Sequence, residues 1–273
     1  METTNPLLTP DQALTQNLAK LTNLKEQGGL EPLIEQLRDS LDREQFAKLF
    51  QTDGRIACID DRILGAGERV AGSTALLTDL EREQYIQAIQ DAGLTPQMTW
   101  HKNCGAMALK YRQMHHLTPE APLSPEEVDQ SAELFAAEMA EKFHIPLWGE
   151  IKQDGPEWRG PLDWHPSSSV AISVGNPRQT LQAGLIDALP QAFSIKTNDF
   201  ELALRDLDLA LAIMRGGHGL GRPLLDGPGQ RIGVFLMTET QSQLNQYLDI
   251  LHKRLPDPEI WIDGLVATSE ASL

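Results

Sequence analysis

The chain predicts an α/β fold: a central, largely parallel sheet flanked by helices, preceded by an N-terminal helical segment. Three observations carry this. Short apolar runs suited to buried strands alternate with longer stretches of helical period through most of the sequence. Glycine, proline and helix-capping residues punctuate the changes from one to the other. Apolar residues make up 41% of 273 positions, enough to fill a sizeable core.

Residues 11–50 read as helical, because Leu18, Leu21 and Leu24, then Leu30, Ile34, Leu37 and Leu41, recur at helix-like spacing, with Gly28-Gly29 between the two runs. This segment, 1–50, is expected to cover a sheet face or a partner subunit. Residues 51–273 are then expected to form one α/β domain. Its first strand runs over Arg55–Asp60, between Asp53-Gly54 and a charged stretch. A glycine-rich loop follows from Gly65 to Ser73, then a helix to about Ala92 through Leu76, Leu77, Leu80, Tyr85 and Ile89. Gln97–His101 reads as the second strand and 104–116 as a helix that starts at a cysteine.

Ser124 as N-cap, Pro125 at the first position and two acids in the first turn mark a helix running to about Phe143. Residues 145–167, with Trp148, Trp158 and Trp164, read as a long ordered loop with a short strand, serving as core cover. Strands are expected at Ser169–Val174, Phe193–Lys196, Ile232–Met237 and Ile260–Val266. Helices are expected from Asp199 to Arg215 and from Thr240 to Arg254. The dense Arg215–Arg222 stretch, with four glycines and His218, reads as a helix end and connection.

Asp and Glu outnumber Lys and Arg by 39 to 23, for a net charge of −16. That argues against a nucleic-acid or anionic-membrane partner, since phosphate binding needs a basic surface. No apolar run reaches the ~18 residues a membrane span requires. The first ten residues lack the basic and apolar regions of a secretory signal, so a cytoplasmic protein is expected, with a microcompartment or organelle as the alternative.

The only two cysteines sit in short polar clusters, Cys58-Ile59-Asp60-Asp61-Arg62 and His101-Lys102-Asn103-Cys104-Gly105. Two thiolates and one imidazole make a Cys2His donor set, which leaves a fourth tetrahedral position open, the ligand count of a catalytic zinc site. Both clusters fall where a strand ends, and open α/β sheets gather ligands at the carboxyl ends of their strands. They converge if the two strands are neighbours. Inert buried thiols, or one disulfide, are the plain alternatives. Within the first cluster, period-two alternation turns Asp60 to the side of Cys58. Arg62 can hold Asp60 ionised and oriented. Were Arg62 turned away, Asp60 itself would become the fourth ligand. Loss of the metal would leave Cys58 and Cys104 placed to form a disulfide.

The two clusters, with Arg69-Val70-Ala71-Gly72 between them, resemble the β-class carbonic anhydrases, which carry C-x-D-x-R, R-x-A-G and H-x-x-C-G in this order. The resemblance covers about residues 55–112. The short interval from Cys58 to His101, Trp164-His165-Pro166 and the late strand look more like two relatives. These are the cadmium-using diatom enzymes of the ζ class and the algal low-CO2-inducible B/C group of the θ class.

The resemblance implies Cys58, His101 and Cys104 as ligands of Zn2+, with Cd2+ or Co2+ as alternatives, and Asp60 with Arg62 as the catalytic pair. It implies reversible hydration of CO2 to bicarbonate by a metal-bound hydroxide, in a homodimer or higher homo-oligomer. Two alternatives use the same site: hydrolysis of COS or CS2, and a catalytically weak zinc-binding scaffold or regulator of carbon acquisition. A nearby histidine would help a proton leave, and His115, His116, His165 and His218 are the candidates. Ala71, Gly72, Ser73 and Gly105 are expected to line the substrate. Gly72 and Ser73 are expected to open a helix whose N–H groups face a bicarbonate oxygen. Gly65-x-Gly67 is not a dinucleotide fingerprint, because Val70 stands where its third glycine belongs.

Overall fold

The computed structural model describes residues 9–64, 67–118, 121–158, 165, 167–175, 179–182, 186–215 and 231–267. Three N-terminal helices come first: α1 (Pro10–Glu26), α2 (Leu30–Ser40) and α3 (Arg43–Lys48). Thr9 and Asp42 cap α1 and α3 in reciprocal boxes with Gln12 and Gln45, so the first free N–H groups find side-chain acceptors. Leu21, Leu24, Leu30, Leu33, Ile34, Phe46 and Phe50 are buried against Ala171, Phe235, Met237 and Leu265. The segment is thus a helical layer on a sheet face, one of the two roles its pattern allowed.

Among the described residues every ladder between strands is parallel, but the ladders fall into two four-stranded sheets rather than one. The first contains β1 (Arg55–Ala57), β2 (Gly67–Arg69), β3 (Gln97–Trp100) and β4 (Leu147–Glu150), in the order β2-β1-β3-β4. The second contains β5 (Ser169–Val174), β6 (Ala192–Thr197), β7 (Ile232–Thr238) and β8 (Ile260–Val266), in the order β6-β5-β7-β8. Every residue of β5 and β7 is buried, as expected of central parallel strands covered on both faces.

The sheets meet where β2 lies against β6. β2 is three residues long and leads directly into a 3-10 turn (Ala71–Thr74), so little edge remains for a further ladder. Isolated bonds cross this seam instead: Ser194 N–H donates to the Ile59 carbonyl at 3.1 Å, and Tyr85 Oη to the Lys196 carbonyl at 2.9 Å. The glycine-rich stretch read as a loop therefore contains an unforeseen strand. The helix expected from Ser73 starts only at α4 (Asp79–Asp91), capped by Thr78.

The other crossover helices match their sequence signals. They are α5 (Gly105–Met114), α6 (Pro125–Lys142) with Ser124 as cap, α7 (Phe200–Met214) capped by Asp199, and α8 (Gln241–Arg254) capped by Thr240. α7 buries ten residues, including Leu202, Ala203, Leu207 and Ala210. Gly216–Arg222, with His218, lies outside the described residues, as does Trp164. No described helix is long and apolar enough to cross a membrane.

One contact anchors the N-terminal layer. Asp263 of β8 accepts the Leu30 N–H at 2.7 Å, at the start of α2. Gly29 precedes it with φ +102°, and a Cβ there would collide with that carboxylate. Gly29→Ala should therefore cost about 1–3 kcal/mol, several degrees in Tm. Thermal unfolding checks this, and an unchanged Tm would mean the contact does not hold α2 in place.

Candidate metal centre

β1 and β3 are parallel neighbours, with Arg55 opposite Gln97 and Ile56 opposite Met98. Their carboxyl ends therefore lie side by side. Cys58 follows β1 directly, His101 follows β3 directly, and Cys104 is the N-cap of α5. The donor atoms of Cys58, His101 and Cys104 lie within 4.8 Å of one another, and all three residues are buried. The two sulfurs are 3.7 Å apart and both thiols are free.

These residues fit a metal on two counts. His101 Nδ1 lies 2.8 Å from the Lys102 carbonyl, a contact that assigns the proton to Nδ1. Nε2 is then a lone-pair donor; it is buried, lacks a hydrogen bond of good geometry among the described residues, and has the Cys58 sulfur as an electrostatic neighbour. A buried polar atom left without a good hydrogen bond is costly, and a cation would satisfy it. The thiols are the second count. Cys104 beside it holds the Cys58 thiol well below its usual range, while the same contact and burial push Cys104 well above. One negative charge forms readily and the second waits for a cation.

Cys58 is held from several sides. Gly72 N–H donates to its sulfur at 3.3 Å, and Arg69 donates to its carbonyl at 3.1 Å and to the Ile63 carbonyl at 3.1 Å. Burial lowers the Arg69 pKa to about 10. The motif arginine thus fixes the loop between β1 and β2.

Asp60 and Arg62 form a buried bidentate pair: Arg62 Nε to Oδ1 at 2.8 Å and Nη2 to Oδ2 at 2.6 Å. β1 ends at Ala57, so strand alternation does not orient Asp60. A local turn does, in which Oδ1 also accepts the Arg62 backbone N–H at 3.0 Å. Burial opposes the charge on Asp60, but Arg62 overcomes it and holds the carboxyl far below its usual range. Arg62 is turned toward Asp60, the arrangement in which the carboxylate is not spent on a metal. Oδ2 has one lone pair beyond the Arg62 bond and lies 4.0 Å from His101 Nε2. Trp158 covers the pair, with its ring centroid 4.8 Å from the Arg62 guanidinium carbon and 5.8 Å from that of His101.

Of the histidine candidates, His115 and His116 are exposed and His218 is not described. His165 is buried beside the site. Its Nδ1 is 2.7 Å from Asp61 Oδ1 and 4.0 Å from Asp60 Oδ1. Asp61 also accepts the Ser167 N–H at 2.8 Å. The residues expected to line the substrate in this turn have their amides engaged within the protein: Ala71 donates to Asp206 at 2.9 Å, Gly72 to Cys58, and Ser73 to the Val70 carbonyl at 3.0 Å. Gly105 is the partly buried first residue of α5.

Compared with known protein families, characterised proteins and solved structures, the chain matches none. The donor set and its surroundings carry the functional reading.

Sequence reasoning passed over Asp61 and Asp206, and it read Trp158 as core cover without placing it over the Asp60–Arg62 pair. Asp206 did leave a signal. It is an acid at core spacing on the apolar face of α7, between Leu202 and Ala210. Burial pushes its carboxyl up to about 7; the Ala71 N–H opposes this and the Cys58 charge adds to it. An acid with a raised folded pKa holds its proton more tightly when folded. Its stabilisation is full below the unfolded value of 3.8 and is lost as pH rises through about 7. Asp206→Asn should therefore gain stability relative to wild type, by at most about 4 kcal/mol, as metal-free protein is taken from pH 4 to 8. Denaturant unfolding at both pH values checks this, and a constant difference would contradict the buried titration.

Proposed function

We propose that this chain is a zinc-dependent carbonic anhydrase that interconverts CO2 and bicarbonate. The observation that carries the reading is the meeting of a buried Cys2His donor set, its imidazole Nε2 without a hydrogen bond of good geometry among the described residues, with an ionised Asp60 clamped by Arg62. A structural site needs neither the open position nor the ion pair.

Cys58, His101 and Cys104 would hold the zinc, and two thiolates match its double charge. Bound there, zinc would supply a nucleophile from water at neutral pH. The rest falls to the chain's own residues. Asp60, kept anionic by Arg62, accepts an O–H at Oδ2 and so turns the oxygen lone pair toward CO2. Arg62 keeps its proton throughout and fixes Asp60 in one rotamer. Trp158 covers the pair and limits bulk water. Water adds across one C=O bond of CO2, giving bicarbonate and one proton. Among the described residues His165, oriented by Asp61, is the imidazole nearest Asp60 Oδ1 apart from the ligand His101, and it would take up that proton.

Stopped-flow CO2 hydration on metal-analysed protein tests this. Wild type should carry about one zinc per chain and hydrate CO2. Cys104→Ala should lose both zinc and activity. Asp60→Asn should keep zinc and lose about 10²–10⁴-fold in kcat. Stoichiometric zinc without hydration would overturn the reading, in favour of COS or CS2 hydrolysis or an inactive zinc-stabilised protein.

A further inference from the structure

Two consecutive amides of the turn after β2 point at two different acceptors. Ala71 N–H donates to Asp206 Oδ2 at 2.9 Å, and Gly72 N–H donates to Cys58 Sγ at 3.3 Å. Between these bonds and α4 the backbone is left-handed at three successive residues: Gly72 (φ 62°), Ser73 (φ 51°) and Thr74 (φ 81°). Two of the three carry a Cβ, and such conformations persist only where the surroundings over-determine them.

The restraints are visible. Arg82 of α4 donates to the Thr74 carbonyl at 3.3 Å and the Leu77 carbonyl at 2.7 Å, holding the exit of the turn. Ala106 of α5 packs so closely on Gly72 that a Cβ there would sit 3.1 Å from its methyl. The entrance is held by Asp206, which is 4% exposed and reaches across from α7.

We propose that Asp206 is a positioning residue of the metal centre: by holding the Ala71 amide it sets the Gly72 N–H on Cys58 Sγ, fixing the direction and donor strength of that thiolate. This rests on the reading of Cys58 as a metal ligand and extends it to a residue 148 positions away in sequence. Groups that orient a ligand in this way commonly change metal affinity by about 10–100-fold when removed.

The test compares full-length wild type, Asp206→Asn and Asp206→Ala. Asparagine keeps an oxygen that can accept the Ala71 N–H, and alanine does not. Zn2+ affinity is measured by competition with a chromophoric chelator. The sulfur-to-cobalt charge-transfer band of Co2+-loaded protein gives a second readout, independent of activity. Asp206→Ala should bind Zn2+ about 10–100-fold more weakly with a shifted band, and Asp206→Asn should restore both. Wild-type affinity and an unchanged band in folded Asp206→Ala would overturn the proposal. So would a folded Asp206→Asn that fails as badly as the alanine variant.

Should Asp206→Ala not fold, Asp206→Leu fills the same space without an acceptor and takes its place. Should neither fold, folded Asp206→Asn decides by amide NMR. At pH 8, above the Asp206 titration, its Ala71 proton shifts as a charged acceptor is exchanged for a neutral one, and the proposal requires the Gly72 proton to shift with it. An Ala71 shift with Gly72 unmoved overturns it. A wild-type chain that takes no metal removes the ligand reading and this proposal together. Bound zinc without CO2 hydration removes only the proposed reaction.

Discussion

The parallel pairing of β1 with β3 is the constraint on which the site depends. Cys58 follows one strand and His101 the other, so the register Arg55–Gln97 and Ile56–Met98 brings them to the same end of the sheet. A parallel sheet aligns its carboxyl ends by construction, whereas an antiparallel pair would send these clusters to opposite ends. Cys104 then needs only the tight turn from β3 into α5, where it serves as N-cap. A one-residue slip in this register would turn β1 and β3 side chains to the wrong faces. Met98 and Ile56, both fully buried, resist that slip through the packing they would lose.

Around that pairing the protein buries an unusual concentration of charge. Asp60, Asp61, Arg62, Arg69, His101 and His165 are all nearly inaccessible to solvent. Such groups are tolerated where each is answered. Arg62 answers Asp60, the Ser167 amide and His165 answer Asp61, and the Cys58 and Ile63 carbonyls answer Arg69. His101 Nε2 lacks a hydrogen bond of good geometry among the described residues. A cation at that point would complete the network, and two thiolates beside it would neutralise a divalent ion. The left-handed turn at 72–74 is the conformational cost of adding a backbone amide to one of those sulfurs.

Much of this was legible in the sequence because the signals were local. Alternation marked β5, and largely apolar runs marked β7 and β8. Ser124-Pro125 and Asp199 gave helix starts, and both cysteine clusters lay next to strand ends. What stayed hidden depends on contacts between distant segments. Gly67–Arg69 carries a buried glutamate and arginine, so its composition does not read as a strand, and only pairing with β1 makes it one. The division into two sheets follows from that short strand meeting β6. Asp60 faces the site through a turn formed with Arg62, a geometry that alternation cannot foretell. Asp206 showed as an acid on an apolar helix face, but its acceptor role emerges only once α7 lies against the turn after β2.

Cys58, His101 and Cys104 are proposed to hold one metal ion with a position left open, and X-ray absorption at the zinc edge of metal-loaded protein tests this. The expected shell is four-coordinate, with two sulfurs at about 2.3 Å, one imidazole nitrogen at about 2.0–2.1 Å and one further light atom. A shell without sulfur, or a chain that retains no zinc after dialysis, would contradict it.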